Sequence, residues 1–149
     1  MSSSAASATG LVVVPGSLRT GAVSTKIAHA AHAAQALGRT VTLATGLGAL
    51  PLYNEDLDTD PALPAVAALR AQVAAAGGVL MISPAHNGSV SAALNNAIDW
   101  LSRLCGACAL SGKPTALLVT GYSLTGVEAH LERFWARPGC GCCPPQAGR

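Results

Sequence analysis

Apolar residues occur along this chain in two alternating patterns: short uninterrupted runs, and longer stretches in which they recur every three or four positions. Uninterrupted runs are typical of parallel strands buried on both faces, and the recurring pattern is typical of helices with one apolar face. Four runs predict strands, at residues 11–14, 41–43, 79–82 and 116–119. The alternation predicts an α/β fold in which helices cover both faces of a mostly parallel sheet.

Four helices are predicted, one after each strand. Ser24 is expected to cap the first helix, Gly38 to end it, and Pro138 to stop the fourth. Residues 45–64 are rich in Gly, Pro and acidic residues, which is typical of a surface loop. The apolar faces of the helices consist, in chain order, of Ile27, Ala31, Ala34 and Leu37; Val66, Leu69, Val73 and Ala76; Leu94, Ile98 and Leu101; and Val127, Leu131 and Phe134.

Length and composition indicate one compact domain. The 149 residues are 50% hydrophobic and 11% charged, which excludes disorder as the main state and leaves too little chain for two domains. The predicted elements place the domain at residues 11–137. Residues 1–10 are expected to form a disordered tail, and residues 138–149, rich in Cys, Gly and Pro, an irregular one.

The charge pattern excludes two classes of partner. The formal net charge is only +2, and basic residues do not cluster with aromatic ones, so we expect no binding to nucleic acid. No apolar run approaches the roughly 18 to 20 residues that span a bilayer, so we expect no membrane segment. Residues 1–10 lack the basic and apolar regions of an export signal, which predicts a cytoplasmic protein.

The cysteines are interpreted as free thiols, because their number is odd and no export signal is present. The Cys105-x-x-Cys108 spacing would suit zinc, but the cysteines of the tail lack this spacing. His29 and His32 lie three residues apart on one helix without a third ligand, so no metal site is predicted. The five cysteines are Cys105, Cys108, Cys140, Cys142 and Cys143.

The loop after the first strand is a candidate anion site. It contains Ser17 and Arg19 and leads into the predicted helix at Ser24. Hydroxyls, a guanidinium and the backbone N–H groups of a helix start are suited to a phosphate monoester. The loop matches neither a Walker A motif nor the G-x-G-x-x-G dinucleotide motif. From the residues alone, a capped helix with a solvated arginine is an equal alternative.

The loop after the third strand is a second candidate. Ser83-Pro84 is expected to end that strand and Asn87-Gly88 to form a turn. Backbone N–H groups at the turn would meet the edge of a planar ligand, although a plain turn before a helix explains the same residues. Both loops follow the carboxyl ends of strands, where parallel α/β sheets bind their ligands.

Four motifs together resemble those of the NADPH-dependent FMN reductase family, which includes quinone, azo and chromate reductases. They lie in the two loops, in the acidic loop and on the third helix, and the resemblance extends from about Leu11 to about Val119. Gly112-Lys113-Pro114 follows the last of them. In chain order the motifs are Gly16-Ser17-Leu18-Arg19; Pro51-Leu52-Tyr53-Asn54-Glu55-Asp56; Pro84 with Asn87-Gly88-Ser89; and Asn96-Ala97-Ile98-Asp99-Trp100-Leu101-Ser102-Arg103.

The resemblance implies a flavodoxin-like three-layer α/β/α sandwich, strand order 2-1-3-4-5 and non-covalent FMN. NADPH would reduce FMN, which would pass electrons to a quinone, free flavin or similar small-molecule acceptor, so no catalytic side chain is required. A homodimer or homotetramer is also implied. The implied FMN-binding residues are Ser17, Arg19 and Ser24 for the phosphate; Pro84, Ala85, His86, Asn87 and Gly88 for the ring; and Thr120 and Gly121 for the pyrimidine edge.

The chain departs from the family pattern in three regions. Ala22 replaces a serine of the phosphate loop, which removes one hydroxyl donor, and Asn95 replaces a lysine. Ala85 and His86 replace Glu and Tyr, and His86 would either contact the flavin or be an exposed histidine without a role. The Cys-rich end stands where the family has its last strand and helix. We therefore expect the strand order 2-1-3-4, without the fifth edge strand. A truncated or frameshifted member of the family would have this pattern. The alternative function is a degenerate flavodoxin-like module that binds FMN weakly or not at all and acts through protein contacts.

Overall fold

The computed structural model describes residues 10–34, 40–103 and 108–121. Within them lie five strands and three α-helices, with short 3₁₀ turns at Leu47–Ala49 and Glu55–Leu57. The strands are β1 (Leu11–Pro15), β2 (Val41–Leu43), β3 (Gly78–His86), β4 (Ser89–Val90) and β5 (Thr115–Thr120), and the helices are α1 (Val23–Ala33), α2 (Pro64–Ala74) and α3 (Ala92–Leu101).

The parallel strands follow the order β2-β1-β3-β5, and β4 pairs antiparallel with the end of β3. Strand β5 is the fourth strand of the sequence prediction, so the expected order 2-1-3-4 is confirmed. In the register of the sheet, Val13 lies between Leu43 and Leu80, and Met81 pairs with Leu117. The absence of a fifth parallel strand was expected after residue 121, outside the described residues.

Helices lie on both faces of the sheet, and its strand β1 is buried on both sides. Val12, Val13 and Val14 of β1 are completely buried. Successive side chains of a strand point to opposite faces, so Val12 and Val14 pack on the side of α2 and α3. Val13 packs on the other side, with Ala28 of α1. The expected three layers are therefore present.

The predicted apolar faces of α2 and α3 are confirmed by their burial, but the predicted cap of α1 is wrong. The helix starts at Val23, with Ala22 as the N-cap, and Ser24 lies inside the first turn. The physical reason is the tight loop before the helix. Thr25 Oγ1 donates to the carbonyl of Arg19 at 3.0 Å, and the Ala22 N–H donates to the same carbonyl at 3.1 Å, so the helical turn begins before Ser24.

The prediction that Ser83-Pro84 ends the third strand is also wrong. Strand β3 continues to His86 and folds back through the predicted Asn87-Gly88 turn. Asn87 has φ 52° and Gly88 has φ 70°, the positive values that tight hairpin turns require. Proline fits extended backbone and only lacks the N–H donor, and the Ser83 hydroxyl supplies a link across the hairpin by accepting from the Ser91 N–H at 2.9 Å.

The predicted end of the first helix at Gly38 is wrong, because α1 ends at Ala33 with Ala34 as its C-cap. Other sequence predictions concern residues outside the described part of the chain. These are the fourth helix, four of the five cysteines, residues 1–9 of the expected tail and the end of the chain after residue 121. Cys108 is buried, and its Sγ donates to the Leu101 carbonyl at 3.4 Å. Among the described residues, no helix has the length and apolar character needed to cross a membrane.

Lys113 connects the end of α2 to the start of β5. Its Nζ donates to the carbonyl of Ala74 at 3.1 Å and also to the carbonyl of Ala76. The last carbonyls of a helix lack partners within the helix and carry partial negative charge, so an ammonium group there is stabilising.

Replacing Lys113 tests this cap. Lys113→Met keeps the aliphatic stem and removes the donors, and we expect the free energy of unfolding to fall by about 1 to 2 kcal/mol in urea denaturation. Lys26→Met, at an exposed lysine of α1, is the matched control and is expected to change it by less than about 0.5 kcal/mol. Equal losses in the two variants would contradict the capping role.

Candidate functional site

Three segments lie at the carboxyl edge of the sheet, where parallel strands bring their ends together. They are the loop after β1, the hairpin end of β3, and Thr120 with Gly121 at the end of β5. The Gly16 N–H donates to the carbonyl of Ile82 at 2.7 Å, which joins the first loop to β3. Pro84 of β3 lies beside Thr120 of β5, with Gly121 next in the chain. All three predicted site segments therefore lie on one edge.

Gly16 is enclosed where the first loop leaves the sheet. A Cβ on this residue would lie 3.1 Å from the Ile82 carbonyl oxygen, from Leu94 Cβ and from Ser83 Cα. Two of these three atoms are backbone, and the third belongs to the first turn of α3, so none yields easily. Glycine therefore permits this close contact between the loop, β3 and α3, and a larger residue would push these atoms apart.

The loop from Ser17 to Ala22 has the features of an anion site. Ser17 Oγ accepts from the Arg19 N–H at 3.2 Å, and Thr25 Oγ1 holds the Arg19 carbonyl. The side chain of Arg19 folds back over the loop, since a Cβ on Gly21 would lie 3.7 Å from its Nη2. Of the side chains that the structure describes, none caps α1, so the first N–H groups of the helix are suited to bind an anion.

Ser24 supplies a test of whether phosphate fits this loop. The residue is 1% exposed, and within the described residues its Oγ has no hydrogen-bond partner. A buried hydroxyl without a partner is costly, and such groups often mark a ligand position. Together with the uncapped helix start and the Arg19 guanidinium, it makes a donor set that fits a phosphate monoester.

The hairpin carries the residues predicted to contact the flavin ring. Ala85 pairs with Val90 and His86 with Ser89, so two residues of β3 extend beyond the parallel sheet. His86 and Asn87 are exposed at its end. The positive φ of Asn87 and Gly88 defines the direction of the backbone N–H groups at the turn.

Sequence reasoning missed three residues that shape the loops: Thr25, Ser83 and Ser91. Thr25 holds the Arg19 carbonyl, and Ser83 links the two strands of the hairpin. Ser91 caps α3 by accepting from the Leu94 N–H at 3.2 Å. For Ser91 a signal existed, because a serine directly before an apolar helical stretch is a typical N-cap.

The acidic loop is bound to α3 by residues of the last motif. Asn96 Nδ2 and Trp100 Nε1 both donate to the Pro51 carbonyl at 2.9 Å. Asn96 Oδ1 accepts from the Tyr53 N–H at 2.7 Å. The rings of Tyr53 and Trp100 pack edge to face with centroids 5.0 Å apart. These motif residues therefore hold the loop in place.

An ion-pair cluster completes the attachment of this loop. Asp58, with a side chain 9% exposed, receives Arg70 Nη2 at 3.0 Å and Arg103 Nε at 3.5 Å. Arg70 also donates to the Trp100 carbonyl at the end of α3, and Arg103 lies over the Tyr53 ring. Glu55 is exposed and pairs with Arg103 at 3.4 Å. The acidic residues thus include one structural anchor, Asp58.

Two further features concern charge and metals. Partial desolvation raises the pKa of the Asp99 carboxyl on α3, because burial penalises its charged form.

His32, a candidate metal ligand in the sequence, contacts the backbone: its Nδ1 lies 2.7 Å from the Val41 carbonyl oxygen, a contact that holds the ring against β2. Across the described ranges, no group of three or more His, Cys, Asp or Glu side chains is arranged to bind a metal ion.

Comparison with known proteins identifies similar sequences and structures. The family model for NADPH-dependent FMN reductase matches residues 9–140. A 2-hydroxy-1,4-benzoquinone reductase from Burkholderia is 38% identical over 126 residues, 82% of this chain and 67% of that protein. A quinone reductase from Escherichia coli is 34% identical over 128 residues, 83% of this chain and 68% of that protein. A flavoenzyme NAD(P)H:(acceptor) oxidoreductase from Paracoccus denitrificans superimposes with a TM-score of 0.75 at 26% identity, covering 94% of this chain and 77% of that one.

The Asp58 cluster leads to a stability prediction. Asp58→Ala leaves two guanidinium groups without this carboxylate, and we expect the free energy of unfolding to fall by about 2 to 3 kcal/mol in denaturant titrations. Asp56→Ala is the matched control, since Asp56 lies two residues away with an exposed side chain, and a change below about 0.5 kcal/mol is expected. Similar losses in both variants would show that Asp58 is no anchor.

Proposed function

The chain belongs to the NADPH-dependent FMN reductase family, and we propose that it reduces quinones or similar small acceptors with FMN held in the three loops at the carboxyl edge of its sheet. Membership makes it an NAD(P)H-dependent oxidoreductase with FMN as the cofactor. The acceptor class is supported by the quinone reductases among its relatives.

The observation that carries the proposal is the start of α1. The uncapped N-terminus of α1, the Arg19 guanidinium beside Gly21 and the buried Ser24 Oγ all belong to the short segment from Arg19 to Ser24. Ser17, Arg19 and Ser24 would hold the FMN phosphate there, through hydroxyl donors and a charge-assisted hydrogen bond. Ala22 contributes only its backbone, so the site has fewer hydroxyl donors than the family pattern.

The hairpin and β5 would hold the rest of FMN. Pro84 and Ala85 lie at the base of the hairpin, and His86, Asn87 and Gly88 lie at its end. This segment would contact the ring, with Thr120 and Gly121 near the pyrimidine edge, since Thr120 lies beside Pro84. When bound, FMN supplies the redox chemistry by accepting hydride from NAD(P)H and passing electrons to the acceptor. The chain's own residues bind and orient it.

The proposal also covers assembly, location and domain bounds. An assembly of two or four chains is supported by the family resemblance. A cytoplasmic location is supported by the use of NAD(P)H as donor. The domain bounds of 11–137 are supported by the family match over residues 9–140.

A visible absorption spectrum tests the function. Purified protein is titrated with FMN, and NADPH and then a benzoquinone are added without oxygen. We expect bound FMN to bleach on addition of NADPH and to recover its colour with the quinone. Folded protein that neither binds FMN nor supports its reduction would overturn the proposal and leave a flavodoxin-like module without the activity.

Arg19 is expected to contribute most of the charge that attracts the phosphate. Arg19→Ala should raise the Kd for FMN by at least about tenfold, measured by quenching of flavin fluorescence. Riboflavin lacks the phosphate, so its Kd should stay within about twofold. Arg19→Lys keeps the charge but lacks the planar guanidinium, so its Kd for FMN should lie between those of the wild type and Arg19→Ala. An unchanged Kd for FMN would remove Arg19 from the site.

A further inference from the structure

Two buried serines join the proposed phosphate loop to the hairpin and to α3. Ser83 is 0% exposed and Ser91 is 4% exposed. The Ser91 N–H donates to Ser83 Oγ at 2.9 Å, and Ser91 Oγ accepts from the Leu94 N–H at 3.2 Å. The same hydroxyl donates to the carbonyl of Gly16. Ser91 therefore contacts the hairpin, the helix and the first loop at once.

We propose that Ser91 is a positioning residue that orients the phosphate loop for FMN through the Gly16 carbonyl, an inference that rests on the proposed function. The hydroxyl has one proton, and the geometry assigns it to Gly16, since the Leu94 N–H uses an acceptor lone pair. Capping of α3 requires only that Ser91 Oγ accepts from the Leu94 N–H. The hydrogen bond that Ser91 donates to the Gly16 carbonyl is not needed for the cap, and it is the basis of the positioning role.

The geometry of the peptide bond explains how this bond acts on the loop. In a planar trans peptide, the carbonyl of Gly16 and the N–H of Ser17 point in opposite directions. Fixing the carbonyl toward Ser91 therefore directs the Ser17 N–H away from α3. The peptide on the other side of Gly16 is fixed as well, because its N–H donates to the Ile82 carbonyl at 2.7 Å. Both peptide planes at the start of the loop are thus held.

The packing around Gly16 strengthens the effect. Leu94 Cβ and Ser83 Cα would both lie 3.1 Å from a Cβ on Gly16, so the loop start lies tightly against the residues that Ser91 binds. Without the hydroxyl, the Gly16 carbonyl would be buried without this donor, and the peptide would gain freedom to rotate. The expected result is a less ordered set of donors for the phosphate.

The matched control is at the opposite end of the same helix. Ser102 Oγ donates to the Ile98 carbonyl at 2.7 Å, within one helical turn. Ser102→Ala therefore removes a serine hydroxyl and a bond to a backbone carbonyl of α3 without touching the contacts of Gly16. A general loss of α3 stability would result from variants at either end of the helix. Of these two serines, Ser91 is the one that contacts Gly16, so an effect on loop positioning is expected from its variants.

The experiment measures the Kd of FMN and of riboflavin by fluorescence quenching in the full chain and its variants. Ser91→Gly and Ser91→Ala delete the hydroxyl, and glycine is tolerated at N-caps nearly as well as serine, so at least this variant keeps α3. We expect the preference for FMN over riboflavin to fall about fivefold or more in both variants, with riboflavin affected less than about twofold. Ser91→Thr and Ser102→Ala should keep the wild-type preference.

The ligand pair separates the failure of this inference from failure of the proposed function. A wild-type protein without preference for FMN overturns the phosphate site, and the role of Ser91 with it. A wild-type preference that survives in Ser91→Gly and Ser91→Ala overturns the role of Ser91 alone. Equal weakening of both ligands also overturns it, since that outcome reports stability and not orientation of the phosphate loop.

Discussion

The close contact of Gly16 with the end of β3 is the constraint on which the site depends. The first loop leaves the sheet there, and a Cβ on Gly16 would lie only 3.1 Å from atoms of Ile82, Ser83 and Leu94. Because interiors pack densely, this contact sets the position of the phosphate loop relative to the hairpin and α3. The hydrogen bond from Ser91 then sets the orientation of the same peptide.

Helix α3 organises both ends of this arrangement. Its first turn binds the phosphate loop through Ser91, and its later turns bind the acidic loop through Asn96 and Trp100. Ion pairs of Arg70 and Arg103 with Asp58 hold the same loop beyond the helix. The family motif at residues 96–103 therefore has a structural role in this chain, since most of its polar side chains bind other segments.

Much of the fold follows from local patterns in the sequence. Uninterrupted apolar runs predicted the four parallel strands. For β1 and β3 the reason is burial on both faces, which needs apolar residues at successive positions. Strands β2 and β5 are only partly buried. The Asn87-Gly88 turn was predicted because its positive φ values favour these residues. Ser24 was misplaced as a cap, because the bonds of Thr25 to the preceding loop start the helix earlier. Pro84 was misread as a strand end, because a proline at a sheet edge costs little when a serine hydroxyl links the strands.

Local sequence patterns were sufficient to predict the class of fold, the order of its elements and the three loops that carry candidate chemistry, since periodicity and turn residues act over a few positions. Which residues meet across these elements follows from tertiary packing. Gly16 and Ser91 are 75 positions apart, and no local pattern predicts their contact. The burial of Ser24 Oγ and the return of Arg19 over the loop are likewise products of packing. The physical reason is that contacts between distant segments depend on how strands and helices pack together.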